Sequence, residues 1–285
     1  MKGEKLGRIL LSLPYARKVG TVSFMALAKA YRRILALRGG PVDVLSERDG
    51  IRFRLDISEW VQMRIFFDRF IPTYDVDELA FVNQCLREGD VALDVGAQIG
   101  LYTLTFSKAV GASGRVFSFE PDPRNRERLL GNAALNDFAR NVTLVPVALS
   151  DSAGQATFYR SSNLGHSSMN AAVATESRVD EIRVETTTLD AYCRQASLER
   201  VRLAKIDVEG HETAVLSGAR ETLARHAIDF IMMEYVAERA AEISTQGYGD
   251  AQLLAAGYRR ILPDLPRERW PKVANLVYAA PGATL

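Results

Sequence analysis

Two cysteines in 285 residues, Cys85 and Cys193, are too few and too far apart for a disulfide framework or a thiolate metal site. They fit a reducing compartment, packed as small apolar groups. No apolar run is long enough to span a bilayer. No small-residue cleavage site follows a single hydrophobic core near the start, so a signal peptide is not expected and a cytoplasmic location is. An excess of one charge is missing too: 36 Lys and Arg stand against 35 Asp and Glu, which argues against a broad nucleic-acid surface. Also absent is the closely spaced G-x-G-x-x-G turn that carries a dinucleotide pyrophosphate.

What is present is 47% hydrophobic and 25% charged, enough for one full α/β domain with a modest appendage. We expect the appendage over residues 1–72 and the main domain over residues 73–285. The charge is unevenly spread. Residues 1–40 hold nine Lys or Arg and a single acid, Glu4, leaving the rest at a net −7. This basic amphipathic stretch is expected to pack on the domain or on a second copy, as in a homodimer, and peripheral contact with an anionic inner-membrane surface is the alternative. After Gly39-Gly40-Pro41, Val42 to Leu55 reads as a hairpin turning at Arg48-Asp49-Gly50. Ser58 is placed to cap a following helix, and Asp75 or Asp77 starts another. Asp75, in the linker before that helix, is expected at the cofactor wall beside Tyr74.

The chain is organised around Val91 to Gly100, VALDVGAQIG: a buried strand, a glycine turn and a helix start. Gly96 permits a turn that a Cβ obstructs and a close approach to the main chain. Arg115 to Glu120 is a second strand, ending in an acid twenty residues beyond Gly100. In an open α/β sheet both strands end at one edge, where Glu120 can accept from two ribose hydroxyls. Asp122 and Pro123 cap the next helix, and Val142 to Ala148 reads as a third strand leading to Asp151. At that edge a small residue, Ala148, admits a flat adenine and Asp151 can accept from its amino group.

A polar loop over residues 161–177, between strands at 155–160 and 182–188, has the length of an acceptor-binding loop, and it contains His166. Val201 to Asp207 is the fourth parallel strand, ending in Asp207 with Glu209, His211 and Glu212 just beyond and Lys205 just before. Glu212 suits the start of a helix running to about His226. Ile228 to Glu234 is the fifth strand, putting Glu234 at the same edge, and the tail reads as a helix and an antiparallel closing pair. Alternating strands and helices of this kind make a doubly wound, mostly parallel sheet.

Four motifs, DVGAQIG at Asp94 to Gly100, FEPDPRN at Phe119 to Asn125, PVALSD at Pro146 to Asp151, and TLDAY with KIDVEGHETAVLSGA ending at Ala219, resemble the FkbM family of S-adenosylmethionine-dependent methyltransferases. The resemblance spans roughly residues 75–235. It departs at Gln98, where Asn is common, and at His211, where a small or aromatic residue is usual. It implies a seven-stranded Rossmann-like class I methyltransferase sheet and O-methylation of a hydroxyl on a sugar, glycan, lipid-linked or polyketide acceptor. Carried over, Asp94, Gly96, Ala97 and Gly100 hold the methionine end, Glu120 the ribose, and Ala148 with Asp151 the adenine.

Asp207 is the first choice of base for the acceptor hydroxyl, Glu209 the second and His211 the third, with Glu234 and His166 on the acceptor side. No metal ligand set is assigned. Chelation of a divalent metal by Asp207, Glu209 and Glu234 is the alternative use of these acids. The rival functions are a nicotinamide-dependent oxidoreductase, disfavoured by the glycine spacing, and a non-catalytic membrane-surface or adapter module.

Overall fold

The computed structural model describes residues 30, 31, 34, 41–68, 76–161, 167–170, 178–236, 249–262 and 273–285. Asp75, His166 and nearly all of the basic stretch 1–40 lie outside the described residues. The chain divides after Leu79 into two units. In the first, β1 (Asp43–Arg48) and β2 (Ile51–Asp56) pair antiparallel around Asp49 and Gly50, both at positive φ, as the two-residue turn requires. The alternation Ile51, Phe53, Leu55 puts one face of β2 inside. Ser58 does not cap α1 (Trp60–Asp68): its hydroxyl donates to Asp56 Oδ1 at 2.6 Å. Its place is taken up by the turn that ends the strand. α2 (Val76–Cys85) leads across the boundary into the second unit.

The second unit is built on seven strands in the order β11-β12-β10-β9-β3-β4-β5. These are β3 (Val91–Val95), β4 (Arg115–Phe119), β5 (Val142–Val145), β9 (Val201–Ile206), β10 (Ile228–Val236), β11 (Arg259–Leu262) and β12 (Val273–Ala279). β5, β4, β3, β9 and β10 run parallel, and β12 lies antiparallel to both its neighbours, closing the sheet as the tail sequence foretells. Between them run α3 (Leu101–Val110), α4 (Pro123–Ala133), α5 (Leu189–Gln195), α6 (Glu212–Ser217), α7 (Arg220–Ala224) and α8 (Asp250–Ala255). Asp122 caps α4 by accepting from Arg124 N, with Pro123 in the first turn. Thr188 caps α5 in the same way.

β3 and β9 are central and nearly continuously apolar, as strands covered on both faces must be. Their side chains, with Phe119, Ile231, Met233 and Leu276, form one core with Leu189, Val215 and Leu216 from the helices. Cys85 and Cys193 are buried free thiols, and burial pushes Cys85 up to about 12, so it stays protonated packing material. No helix among the described residues is long and apolar enough to cross a membrane. At the amino-terminal rim of the sheet lies a cleft of about 380 Å³. Its arginines are occupied with structure: Arg200 and Arg202 both clasp Asp229, and Arg202 also donates to the carbonyls of Cys85 and Thr284.

Two expectations need correction. The strand expected over Val142 to Ala148 ends at Val145; beyond Pro146 the chain leaves the main sheet, and β6 (Ala148–Leu149) pairs instead with β8 (Arg178–Thr187). β8 and β7 (Gly154–Ser161) form an antiparallel ribbon, so β6-β8-β7 is a second, three-stranded sheet. The helix expected to run to His226 is broken into α6 and α7 at Gly218 and Ala219. The break falls at a close approach: a Cβ on Gly218 would lie 2.0 Å from the carbonyl oxygen of Ser150.

Gly218→Ala is therefore expected to cost about 2 to 3 kcal/mol by overpacking. The urea midpoint should fall with an unchanged slope. A midpoint equal to the parent's would mean that the Ser150 segment yields freely.

Candidate active site

The parallel register decides which side chains meet. Phe119 pairs with Val95, Val95 with Ile206, and Ile206 with Met233, so the next residue on each strand falls on one line: Glu120, Gly96, Asp207 and Glu234. The ladder bonds continue one step past the strands. Glu120 N donates to Val145 O, Gly96 N to Phe119 O, and Asp207 N to Val95 O. Glu120 and Asp207 thus emerge on the carboxyl rim of one sheet, with the side-chain-free Gly96 between them. Gly96 has φ +87, and a Cβ there would sit 1.9 Å from Asp207 O. The glycine is demanded by the contact between the two turns.

Glu120 is 3% exposed, yet both its oxygens are used: Oε2 accepts from Gln98 N and Oε1 from Asp122 N, each at 2.8 Å. Gln98 reaches it by taking a left-handed φ of 50. Burial pushes the carboxyl up to about 7, against the pull of those two N–H donors. Gly100, with φ +92, starts α3, and a Cβ there would press on Leu129 of α4 at 3.1 Å. Its glycine serves helix packing. Ala97 is buried in the same turn.

Asp94 lies two residues below the rim, between Ser118 and Lys205 in register, and is 1% exposed. Thr103 donates to its Oδ2 at 2.6 Å, and burial raises its carboxyl above the ordinary range while Lys205 opposes the rise. Lys205 is itself buried; its Nζ is 2.7 Å from Asp207 Oδ2 and 4.4 Å from the centre of the Tyr102 ring. The sequence showed the charges at Lys205 and Asp207, and their i, i+2 spacing on a strand was the available sign that they share a face.

Three acids gather beside this pair: oxygens of Asp207, Glu209 and Glu234 all lie within 4.8 Å of one another, each half-buried. Glu212 is not solvated as a plain helix start; it is buried, accepts from Val208 N and Gly210 N, and its carboxyl is raised by burial. His211 stands elsewhere. Its Nε2 is 3.0 Å from Ser150 Oγ, and burial lowers its imidazole against the pull of Asp151. Asp151 is exposed, accepting from Ser152 Oγ at 2.9 Å. Ala148 packs with Phe158 and Val184 in the small sheet. The sequence reading missed Thr103 in α3 and Ser168 and Asn170 beyond β7, because isolated hydroxyls and amides carry no spacing signal.

A family model described as "Methyltransferase FkbM domain" matches residues 94–259, more than half of the chain and all of this rim. The chain belongs to that family. The FkbM-family chain is 32% identical over 158 residues to 2-O-methyltransferase NoeI of Sinorhizobium fredii, covering 51% of this chain and 63% of that one. It is 32% identical over 160 residues to hexuronic acid methyltransferase AglP of Haloferax volcanii, covering 55% and 61%. In both cases it spans somewhat less than two thirds of the relative's length. A crystal structure of Methyltransferase FkbM from Methylobacillus flagellatus aligns with TM-score 0.43 at 14% identity, over 77% of this chain and 53% of that one.

Glu120 gives this rim a pH signature. Its folded value lies above its ordinary 4.5, so the folded chain holds the proton more firmly; the stability this gives is full below 4.5 and lost as pH rises through about 7. Relative to Glu120→Gln, whose amide adds only a constant offset, the parent should gain about 3 kcal/mol in urea unfolding between pH 8 and the bottom of that window. A difference between the two that does not change with pH would refute the buried, proton-holding carboxyl.

Proposed function

We propose that the chain is an S-adenosylmethionine-dependent O-methyltransferase acting on a sugar hydroxyl. The observation that carries this is the single rim on which Glu120, the Gly96 turn, Asp207 and Glu234 stand side by side. The residues fit the cofactor. Gly96 lets its turn lie directly on the Asp207 main chain with no side chain between them, and Glu120, already fixed by two N–H donors, has lone pairs left for the ribose hydroxyls. Ala97 and Gly100 complete the turn at the methionine end, with Asp94 supporting it from two residues below. Ala148 and Asp151, joined by Ser150 and His211, border the adenine side.

When bound, the sulfonium supplies a methyl already activated for displacement by an acceptor oxygen. The chain's own task is alignment, which can supply on the order of 7 to 11 kcal/mol. Asp207 accepts the hydroxyl proton. Its Oδ2 is held by Lys205, which fixes the carboxylate's orientation. Glu209 and Glu234 accept from neighbouring hydroxyls of the sugar. The 2-O-methyltransferase among the relatives supports transfer to an oxygen, and the hexuronic acid methyltransferase supports a carbohydrate acceptor.

Asp207→Asn should lower turnover by about 10² to 10⁴ while leaving S-adenosylhomocysteine affinity in calorimetry within about twofold. Labelled S-adenosylmethionine with neutral and uronic-acid oligosaccharides provides the turnover assay. Binding of NAD in place of S-adenosylhomocysteine would overturn the reading, as would full turnover in the variant.

A second reading has one observation in its favour. Three carboxylate oxygens within 4.8 Å of one another are the hard donor set a divalent cation takes, and such an ion would lower the pKa of a bound vicinal diol. On this reading turnover falls to background after exhaustive chelation and returns with Mg²⁺ or Mn²⁺. Full turnover in the stripped protein dismisses it.

A further inference from the structure

Glu209 is a non-glycine residue at φ 54, followed by Gly210 at φ 90. A side chain in the left-handed region is disfavoured, and it persists only where its surroundings fix it. Two sets of bonds fix this one. From inside, Glu212 Oε1 accepts from Val208 N at 3.1 Å and Gly210 N at 3.2 Å. From outside come two residues beyond β7: Ser168 Oγ donates to Glu209 O at 2.7 Å, and Asn170 Nδ2 donates to Gly210 O at 3.4 Å.

Ser168 is firmly anchored for this task. It is fully buried, exchanges both main-chain bonds with Tyr159 of β7, and its hydroxyl accepts from Asn170 N at 2.9 Å while donating to Glu209. The small sheet therefore grips the turn that aims Glu209. We infer that Ser168 is a positioning residue: by holding the Glu209 carbonyl it fixes the left-handed turn, and so the direction in which the Glu209 carboxylate joins Asp207 and Glu234 at the acceptor side. This rests on the role proposed above for Glu209.

The test is a double-mutant cycle in the full chain, with labelled S-adenosylmethionine and a uronic-acid oligosaccharide as the acceptor probe. Ser168→Ala should lower kcat by about 10 to 100-fold, since misplacing a group by an ångström costs about that much. S-adenosylhomocysteine affinity should stay within about twofold, and Ser168→Thr, which keeps the hydroxyl, should recover most of the loss. With Glu209→Ala already present, Ser168→Ala should change kcat by less than about twofold, because the carboxylate it aims is gone. A full further loss in that background would overturn the proposal. Glu209→Ala at parental kcat would instead defeat the role of Glu209 itself.

One measurement needs no acceptor. Amide exchange should quicken at 207–211 in Ser168→Ala and stay unchanged at 94–100; unchanged exchange at 207–211 overturns the proposal outright. If Ser168→Ala fails to fold, Asn170→Ala, which removes the second bond to the same turn, is read in the same cycle and by the same exchange.

Discussion

The contact between the main chain of Gly96 and the carbonyl of Asp207 is the constraint on which the rim depends. Parallel strands place the ends of β3 and β9 about 4.8 Å apart, and both chains must turn there without colliding. A Cβ at 1.9 Å from Asp207 O leaves glycine as the only residue that fits. Because the two turns touch, the glycine turn and the acidic segment meet with no intervening side chain. A change that separates them moves Asp207 away from whatever the glycine turn holds. Positioning of this kind comes from backbone packing, which is stiffer than any side-chain bond.

The same logic repeats at the second glycine. Gly218, at the break between α6 and α7, lies against the carbonyl of Ser150, and Ser150 in turn meets His211. The small sheet then adds its own grip through Ser168 and Asn170. Three separate pieces of chain, near 96, 150 and 168, thus converge on the one segment 207–212. That segment carries three acids in six residues, so its fixed shape decides where negative charge is presented.

The sequence made the main sheet readable because buried parallel strands are nearly continuous apolar runs that end in charge: VALD, RVFSFE and VRLAKID each announce both a strand and the edge where it stops. Register follows from adjacency of such strands, which is why Glu120, Asp207 and Glu234 could be placed on one edge. The caps at Asp122 and Thr188 were legible for a local reason, a side-chain acceptor two or three residues before an N–H. What escaped was set by distant contacts. The end of β5 at Val145 and the departure of Ala148 depend on pairing with β8, thirty-odd residues on. The break at Gly218 falls against Ser150. The cover that Thr103 gives Asp94 depends on which helix lies over the turn, and no spacing rule carries that.

The electrostatics of the rim bear on which nucleoside it takes. Asp94, Glu120, Asp207, Glu209, Glu212 and Glu234 crowd the ends of four adjacent strands, and Lys205 is a buried cation set among them. Burial raises Asp94, Glu120 and Glu212, the chain's way of lessening so much like charge. A pyrophosphate brought to this rim would add two more negative charges beside carboxylates and would need closely spaced N–H groups, which the D-x-G-x-x-x-G turn does not offer. A sulfonium nucleoside, the cofactor proposed above, would bring the opposite charge: its cation would relieve the repulsion, and its ribose would offer Glu120 two donors. Relief of that kind favours binding of the cation over its neutral thioether product, so the acids that draw the proposed cofactor in also favour the product's departure once the methyl has moved.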